Sequence, residues 1–351
     1  MSDWTEDIVS AEIAGTLDGL FYQRVRRTPD STAYRSFDTA GKQWRDTSWR
    51  DMGKLVARWC SALQAEDLQP GDRVAVHLRN CREWVCFDQA ALACGQVIVP
   101  LYTDDRPENI AYILMDSAVR LLLLQDVGNW KRLAPALNGL EDLERVLILN
   151  RPAAPAHGLP DDERVRFVSD WLPQAGDEIK PRTGDPHDLA SIVYTSGTTG
   201  RPKGVMLSHH NMLSIAHAGL TMIDVFEEDL FLSFLPLSHT LERTVGYYLP
   251  MMAGATVAYA RSIAQLAEDL QQIRPTVLIA VPRIFERVFA RVQGQLDRKS
   301  GTARALFHLT TRVGWQRFER QQRRAGWRPQ MLLWPLLRKL VAAKVTARLG
   351  G

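Results

Sequence analysis

A short stretch near the middle of the sequence brings hydroxyl groups, glycines and one lysine together directly after an apolar run. Its members are Thr195, Ser196, Gly197, Thr198, Thr199, Gly200, Lys203 and Gly204. Glycines let backbone N–H groups approach an anion, hydroxyls add neutral donors, and lysine supplies a compact cation for phosphate oxygens. The stretch therefore predicts a phosphate-binding loop suited to a nucleoside triphosphate.

The spacing of this loop differs from that of the Walker A loop, Gly-x-x-x-x-Gly-Lys-Ser/Thr, in which the lysine directly follows a glycine. Here Lys203 lies three residues after Gly200 and is followed by Gly204. The alternative interpretation is a flexible turn that binds nothing. The density of hydroxyls and glycines after a buried strand favours a binding loop, in which Lys203 is also a candidate catalytic residue.

A second set of candidate residues, His239, Glu242 and Arg243, follows the apolar run 230–235. We expect His239 near the carboxyl end of a strand, where open α/β folds place ligands, with the other two on the first turn of the next helix. His239 is a candidate catalytic residue, although taken alone it fits a structural, hydrogen-bonded role better than a catalytic one. No residue of the chain is predicted to be a metal ligand.

Short apolar runs alternate with helical patterns, which is typical of βαβ units and a mainly parallel sheet covered by helices. The predicted strands are 73–78, 96–100, 119–124, one near Val165, 189–194, 230–235, 255–259 and 276–281. Ser48 and Asp51 form a capping-box pair that opens a helix. Its predicted apolar face consists of Trp49, Met52, Val56, Trp59 and Leu63. The pattern indicates an α/β fold.

The segment between about residues 151 and 188 is rich in proline, glycine and acidic residues. Such a composition is typical of a connection between packed units. A chain of 351 residues is also long enough to form two of them. We therefore predict a first α/β sub-domain with its linker at 1–185, and a second at 186–351 that carries the loop and a basic helical tail.

Charge is distributed unevenly along the chain. The formal net charge is +3, whereas residues 283–348 contain 16 Lys and Arg against 3 Asp and Glu, a local excess of 16 − 3 = +13. The small total argues against a nucleic-acid partner. The basic run fits either a solvated helical face or contact with an acidic surface such as lipid headgroups.

The sequence contains neither a secretory signal nor an apolar run long enough to span a bilayer. Its four cysteines form no Cys-x-x-Cys pair and are predicted to be buried free thiols in a reducing compartment. We therefore expect a cytoplasmic protein that is at most peripheral on the inner face of the membrane.

The eleven residues from Tyr194 to Gly204 resemble the signature of the adenylate-forming, AMP-binding superfamily, which includes acyl-CoA synthetases, firefly luciferase and peptide-synthetase adenylation domains. The stretches 70–75, 94–102 and 188–193 also look like the N-terminal domain of that family. The resemblance runs from about Thr16 to the last residue. It implies an α/β fold with two packed, mainly parallel sheets flanked by helices.

The same resemblance implies a two-step reaction that uses ATP, Mg²⁺ and CoA. A carboxylate attacks the α-phosphorus of ATP to give an acyl-adenylate and pyrophosphate, and the CoA thiol then displaces AMP. The loop residues named above would hold the pyrophosphate, whose developing charge needs stabilisation. A Pro-Leu-x-His element would place His239 beside the acyl and nucleotide pocket, with Glu242 and Arg243 as its supports.

Three features are similar to the long-chain branch of the family: the run 238–243, the run 281–288 and the basic helical segment that follows. They imply a long-chain fatty acid as the carboxylate, and hence an AMP-forming fatty-acid–CoA ligase of lipid metabolism. Two alternatives remain open. One is an adenylate-forming enzyme with another acceptor, and the other is a non-catalytic remnant that binds a nucleotide or a lipid.

The later motifs of the family do not occur before Gly351. They include a Glu that helps to hold Mg²⁺, a ribose-binding Thr-Gly-Asp and the catalytic lysine of a small C-terminal domain. We therefore expect that the chain corresponds to an N-terminal portion, with a second sub-domain incomplete at its C-terminus and little or no ligase activity alone.

Overall fold

The computed structural model describes residues 8–152, 161–180, 182–195 and 200–350. The chain divides into two compact units, one that ends at Ala260 and one that begins at Arg261. Both β-sheets belong to the first unit. This division differs from the predicted boundary at residue 185, because strands from both sides of that residue pair in the same two sheets.

The described part of the first unit contains two sheets. Their strands are β1 (Thr32–Asp38), β2 (Gln43–Ser48), β3 (Arg73–His77), β4 (Val97–Pro100), β5 (Val119–Asp126), β6 (Arg145–Asn150), β7 (Val165–Phe167), β8 (Leu189–Thr195), β9 (Lys203–Ser208), β10 (Leu230–Ser233) and β11 (Thr256–Tyr259). One sheet has the order β7-β6-β5-β3-β4-β8-β9, and only its β8–β9 pair is antiparallel. The other has the order β10-β11-β1-β2, and only β1–β2 is antiparallel.

Helices connect and cover these strands. They are α1 (Ala11–Ala14), α2 (Leu17–Arg27), α3 (Trp49–Gln64), α4 (Arg82–Ala93), α5 (Pro107–Asp116), α6 (Val127–Leu137), α7 (Val168–Trp171), α8 (His209–Met222), α9 (Thr240–Arg243) and α10 (Leu249–Ala253), with a π-helical turn, Thr244–Tyr248, between the last two. In the larger sheet α4, α5 and α6 each connect two parallel strands. The predicted α/β class with two mainly parallel sheets is confirmed.

The helix α3 begins where its capping box predicts. The Ser48 hydroxyl accepts a hydrogen bond of 3.1 Å from the backbone N–H of Asp51, which satisfies one of the unpaired donors of the first turn. The predicted apolar face is buried, since none of its five side chains is more than 2% exposed: Trp49, Met52, Val56, Trp59 and Leu63. Each such burial contributes about 1.5–3 kcal/mol relative to exposure.

In the larger sheet, the burial of the strands differs between the centre and the edge. In β5 the four consecutive leucines 121–124 are fully buried, because helices cover both faces of a central parallel strand. The first four residues of the edge strand β9 are instead exposed. The connection that carries the candidate phosphate loop therefore leaves the sheet at an open edge.

The second unit is built from helical segments in its described part. They are α11 (Leu266–Ile273), α12 (Pro282–Leu296), α13 (Gly301–Gln321), α14 (Trp334–Leu337) and α15 (Ala343–Thr346), with a π-helical turn at Arg338–Ala342 and 3₁₀ turns at Pro329–Leu333 and Ala347–Leu349. The predicted strand 276–281 is wrong, because only Val277 forms a bridge there. No helix among the described residues is long and apolar enough to cross a membrane.

Candidate phosphate-binding site

The predicted loop connects the antiparallel strands β8 and β9. Thr195, the last residue of β8, lies directly opposite Lys203, the first residue of β9, and both are exposed. Side chains of directly opposed residues lie on the same face with Cβ atoms about 4.5–5.5 Å apart. A hydroxyl and an ammonium therefore stand side by side where the chain leaves and re-enters the sheet.

Glycine is favoured at two positions of the loop, at one by the backbone conformation and at the other by a side chain that lies close to it. Gly200 has a φ of +99°, a conformation that residues with a side chain rarely adopt. Gly204 pairs with Tyr194 across the strands, and a Cβ atom there would lie 2.8 Å from Cγ2 of Ile192. The other predicted loop residues, Ser196, Gly197, Thr198 and Thr199, lie outside the described residues.

Two contacts tie the residues beside the loop to α5. The Tyr194 phenol donates a hydrogen bond of 2.6 Å to Oδ2 of Asp116, and the guanidinium of Arg201 lies 5.4 Å from the ring centre of Tyr112. Burial and the Asp116 hydrogen bond raise the pKa of Tyr194, so its phenol stays protonated and can donate. Sequence reasoning missed both partners on α5, because they precede the loop by some 80 residues without a local signal.

His239 caps α9 with its own side chain. Its Nδ1 accepts a hydrogen bond of 3.1 Å from the backbone N–H of Leu241, and the residue is exposed. Because Nδ1 acts as an acceptor, Nε2 is the ring nitrogen that remains for other contacts. The structure thus gives His239 a structural role and leaves one nitrogen for a ligand.

Glu242 lies inside the protein on the first turn of α9. It is 1% exposed, and its Oε1 accepts a hydrogen bond of 2.6 Å from the Ser233 hydroxyl, while Oε2 has no partner among the described residues. Burial raises the pKa of Glu242 to about 7. A Cβ atom on Gly246 would lie 2.6 Å from the carboxyl carbon of Glu242, so this glycine leaves room for the side chain.

Arg243 is the centre of a buried polar network. Its Nη2 forms an ion pair of 2.5 Å with Oδ1 of Asp88, and its Nη1 donates a hydrogen bond of 2.7 Å to the Ser191 hydroxyl. All three side chains are fully buried. The guanidinium carbon also lies 5.2 Å from the ring centre of Trp84. The arginine therefore joins β8 to α4 and α9 within the first unit.

The other carboxylate oxygen of Asp88 is equally well satisfied. It accepts hydrogen bonds from the hydroxyls of Tyr247 and Tyr248, at 3.1 and 2.9 Å, and from the amide of Gln89 at 3.1 Å. Both tyrosines belong to the π-helical turn, a form that is frequent near functional sites. Glu242 and Arg243 thus support this segment from inside the protein, and their place at a substrate pocket stays a prediction.

The described residues do not form a metal site. No group of three His, Cys, Asp or Glu side chains among them could hold a metal ion. Mg²⁺ in nucleotide sites is usually bound by one or two carboxylates together with the substrate phosphates. The exposed groups at the loop, Thr195 and Lys203, bring no carboxylate of their own, so no residue of the described chain is assigned to magnesium.

Sequence comparisons identify related proteins over most of this chain. A family model described as AMP-binding enzyme matches residues 21–322. Fatty acyl-CoA synthetase A of Dictyostelium discoideum is 32% identical over 297 residues, which cover 83% of this chain and 42% of that protein. Long-chain-fatty-acid–CoA ligase 1 of Homo sapiens is 31% identical over 270 residues, or 71% of this chain and 37% of that protein. The chain spans less than half the length of these relatives.

Solved structures share the fold at lower sequence identity. The adenylation domain of a carboxylate reductase from Mycobacterium chelonae superposes with a TM-score of 0.69 and 21% identity, over 86% of this chain and 52% of that one. A fatty acyl CoA synthetase from Mycobacterium tuberculosis gives a TM-score of 0.64 and 23% identity, over 78% and 51%. At these identities the likeness supports the fold alone.

Proposed function

Because this chain belongs to the AMP-binding enzyme family, we propose that it acts in the ATP-dependent activation of a long-chain fatty acid as its CoA thioester. The similar proteins from Dictyostelium discoideum and Homo sapiens are named as a fatty acyl-CoA synthetase and a long-chain-fatty-acid–CoA ligase, which supports the substrate class.

In the first step a carboxylate oxygen attacks the α-phosphorus of ATP. The bond to the bridging oxygen of the β-phosphate breaks, and pyrophosphate leaves with that electron pair. The adjacent hydroxyl of Thr195 and ammonium of Lys203 are suited to hold this anion, together with the backbone N–H groups of the glycine-rich loop. In the second step the CoA thiol loses its proton and attacks the acyl carbonyl, and AMP leaves.

We assign the neighbouring segment to the acyl and nucleotide pocket. His239 would contact substrate through Nε2, because Nδ1 is already committed to the cap of α9. Glu242 and Arg243 would hold that helix in place, since both are buried beneath it and bonded to other elements. These roles are proposals that follow from the position of each side chain and from the family.

The observation that carries the proposal is the pairing of Thr195 with Lys203 at the base of the loop. Its test is calorimetric titration of the 351-residue chain with ATP and with pyrophosphate. We expect Lys203→Ala to lower the affinity for ATP and for pyrophosphate about tenfold each, or by roughly 1.4 kcal/mol. The control Lys131→Ala removes another exposed lysine, on α6, and should change neither affinity. Equal affinities of both variants and the wild type would contradict the proposal.

The second arm of this test addresses the substrate. ATP–pyrophosphate exchange is measured with palmitate and with acetate as the carboxylic acid. A long-chain activity predicts that palmitate supports faster exchange at equal concentration, and the opposite order would exclude that substrate class. Little or no exchange with either acid is the result expected of this chain alone, and robust exchange would contradict that expectation.

We also propose that the second unit contacts an anionic lipid surface. None of the residues of α12 is buried, and Phe285 and Phe289, one helical turn apart, are 63% and 62% exposed. Arg283, Arg287 and Arg291 lie on the same helix. Helices that lie in a membrane interface typically carry aromatic side chains on one face and basic side chains on another. Such a position would suit an enzyme of an amphiphilic acid.

A further inference from the structure

A buried hydrogen-bond path connects α9 with β8, the strand that carries the candidate phosphate loop. Ser191 lies in β8, four residues before Thr195, and its side chain is fully buried. Its hydroxyl accepts a bond of 2.7 Å from Nη1 of Arg243 and donates one of 2.7 Å to the backbone carbonyl of Ile98 in β4. The Ser191 side chain thus links β8 both to the neighbouring strand β4 and to the helix α9.

The arginine at the other end of this path is itself firmly held. Its Nη2 is paired with Asp88 of α4, and Trp84 of the same helix lies against the guanidinium plane. A planar guanidinium that bonds a carboxylate and stacks on an aromatic ring has little freedom to turn. The Arg243 guanidinium therefore connects α4 to β8 through the Ser191 hydroxyl, so the position of β8 depends on that of α4.

Ser191 is one of the points that hold β8, in addition to the hydrogen bond between Tyr194 and Asp116. Its register on β4 places Ser191 opposite Ile98, the same residue whose carbonyl accepts the Ser191 hydroxyl. On its other side β8 pairs with the edge strand β9, whose first four residues are exposed. Ser191 therefore takes part both in the backbone pairing of β8 with β4 and in the side-chain path to Arg243.

We infer that Ser191 and Arg243 are positioning residues for the phosphate loop. By fixing β8 they set where Thr195 and Lys203 stand relative to α9 and His239. This inference rests on the proposed function, because it assigns to the buried path the task of holding a loop that binds pyrophosphate. Neither side chain would touch the ligand, since both are fully buried.

The experiment uses Ser191→Ala, because the loss of Arg243 would leave Asp88 as an unpaired charge in the core. Removal of both hydrogen bonds of the Ser191 hydroxyl is expected to lower pyrophosphate affinity about three- to tenfold, measured by calorimetry on the full chain. The matched control is Thr256→Val, which removes the hydroxyl that donates to the carbonyl of Thr32 in the other sheet. It should cost similar stability and leave the affinity unchanged.

A double-mutant cycle with Lys203→Ala separates positioning from general destabilisation. If Ser191 acts by placing Lys203, its replacement should change affinity much less once the lysine is gone. Should Ser191→Ala fail to melt cooperatively, Ser191→Cys keeps a small side chain with a weaker acceptor and should give an intermediate loss.

Each outcome bears on a different claim. A selective loss with Ser191→Ala that disappears in the Lys203→Ala background supports the inference. Equal effects of Ser191→Ala and Thr256→Val, or a loss that is additive with Lys203→Ala, overturn it while the proposed function stands. A wild-type chain that binds no pyrophosphate removes the proposed function and this inference with it.

Discussion

Burial of Glu242 makes its protonation part of the stability of the first unit. Desolvation raises its pKa from 4.5 to about 7, with a partial opposing effect of the Ser233 hydrogen bond. Between these pH values the unfolded chain loses the proton and the folded protein keeps it, so the free energy of unfolding falls as pH rises. Glu242→Gln is neutral throughout and should not show this fall, which amounts to about 3 kcal/mol at most.

The measurement is urea unfolding of both proteins at a series of pH values from 4.5 to 7. Glutamine keeps an oxygen that can accept from the Ser233 hydroxyl, so the comparison isolates the charge. Glu228→Gln, at an exposed carboxylate, serves as the control and should follow the wild type. Parallel curves for Glu242→Gln and the wild type would mean that Glu242 is ionised in the folded protein.

At the scale of secondary structure, the hairpin β8–β9 depends on close approach at Gly204. A methyl group there would lie 2.8 Å from Cγ2 of Ile192 and 3.0 Å from the Tyr194 ring. Gly204→Ala should therefore push the strands apart, at a cost of about 1–3 kcal/mol, and weaken ATP binding. Hydrogen exchange of peptides from 189–195 and 203–208 should become faster.

The matched control for this variant is Gly294→Ala in α12, where a Cβ atom would have no neighbour within 4 Å. Alanine in an exposed helix interior is favourable by up to about 1 kcal/mol over glycine. Exchange in the hairpin should be unchanged in this protein. If hydrogen exchange is also unchanged in Gly204→Ala, the side chains of Ile192 and Tyr194 move aside without a measurable cost in free energy.

The same elements show what sequence patterns can and cannot predict. The start of α3 was predictable because the Ser48 capping box and the apolar face are local features. The edge strand β9 and the polar strand β2 were not predicted, since few of their side chains are buried. The apolar run 276–281 does not form a strand, since only Val277 forms a bridge there, and periodicity does not reveal how far strand pairing extends.

At the scale of the whole molecule, long-range contacts were beyond sequence reasoning. Arg243 was placed correctly on the first helical turn after a strand, yet its partner Asp88 lies 155 residues earlier. The predicted boundary at residue 185 followed composition, whereas the strand order of both sheets crosses it. The predicted loop residues 196–199 lie outside the described chain, so their part of the site stays a prediction.

The proposed lipid contact is tested on the full chain by flotation with vesicles. Vesicles that contain anionic lipid should bind the protein, and zwitterionic vesicles should bind it much less, because residues 283–348 have a net charge of 16 − 3 = +13. Raising the ionic strength to about 1 M, where the Debye length is about 3 Å, should release most of it. Binding to both lipid types alike would indicate adsorption by apolar contact only.

Phe285→Ser with Phe289→Ser removes the exposed apolar pair of α12 and should lower binding to anionic vesicles several-fold, because insertion of such side chains supplies the apolar part of interfacial affinity. The matched control is Ile215→Ser with Met222→Ser, which removes two apolar side chains of at least similar exposure from α8 in the first unit. Basic residues do not accompany that pair on α8. If both double variants lose binding equally, general surface hydrophobicity drives the association and α12 has no special part in it.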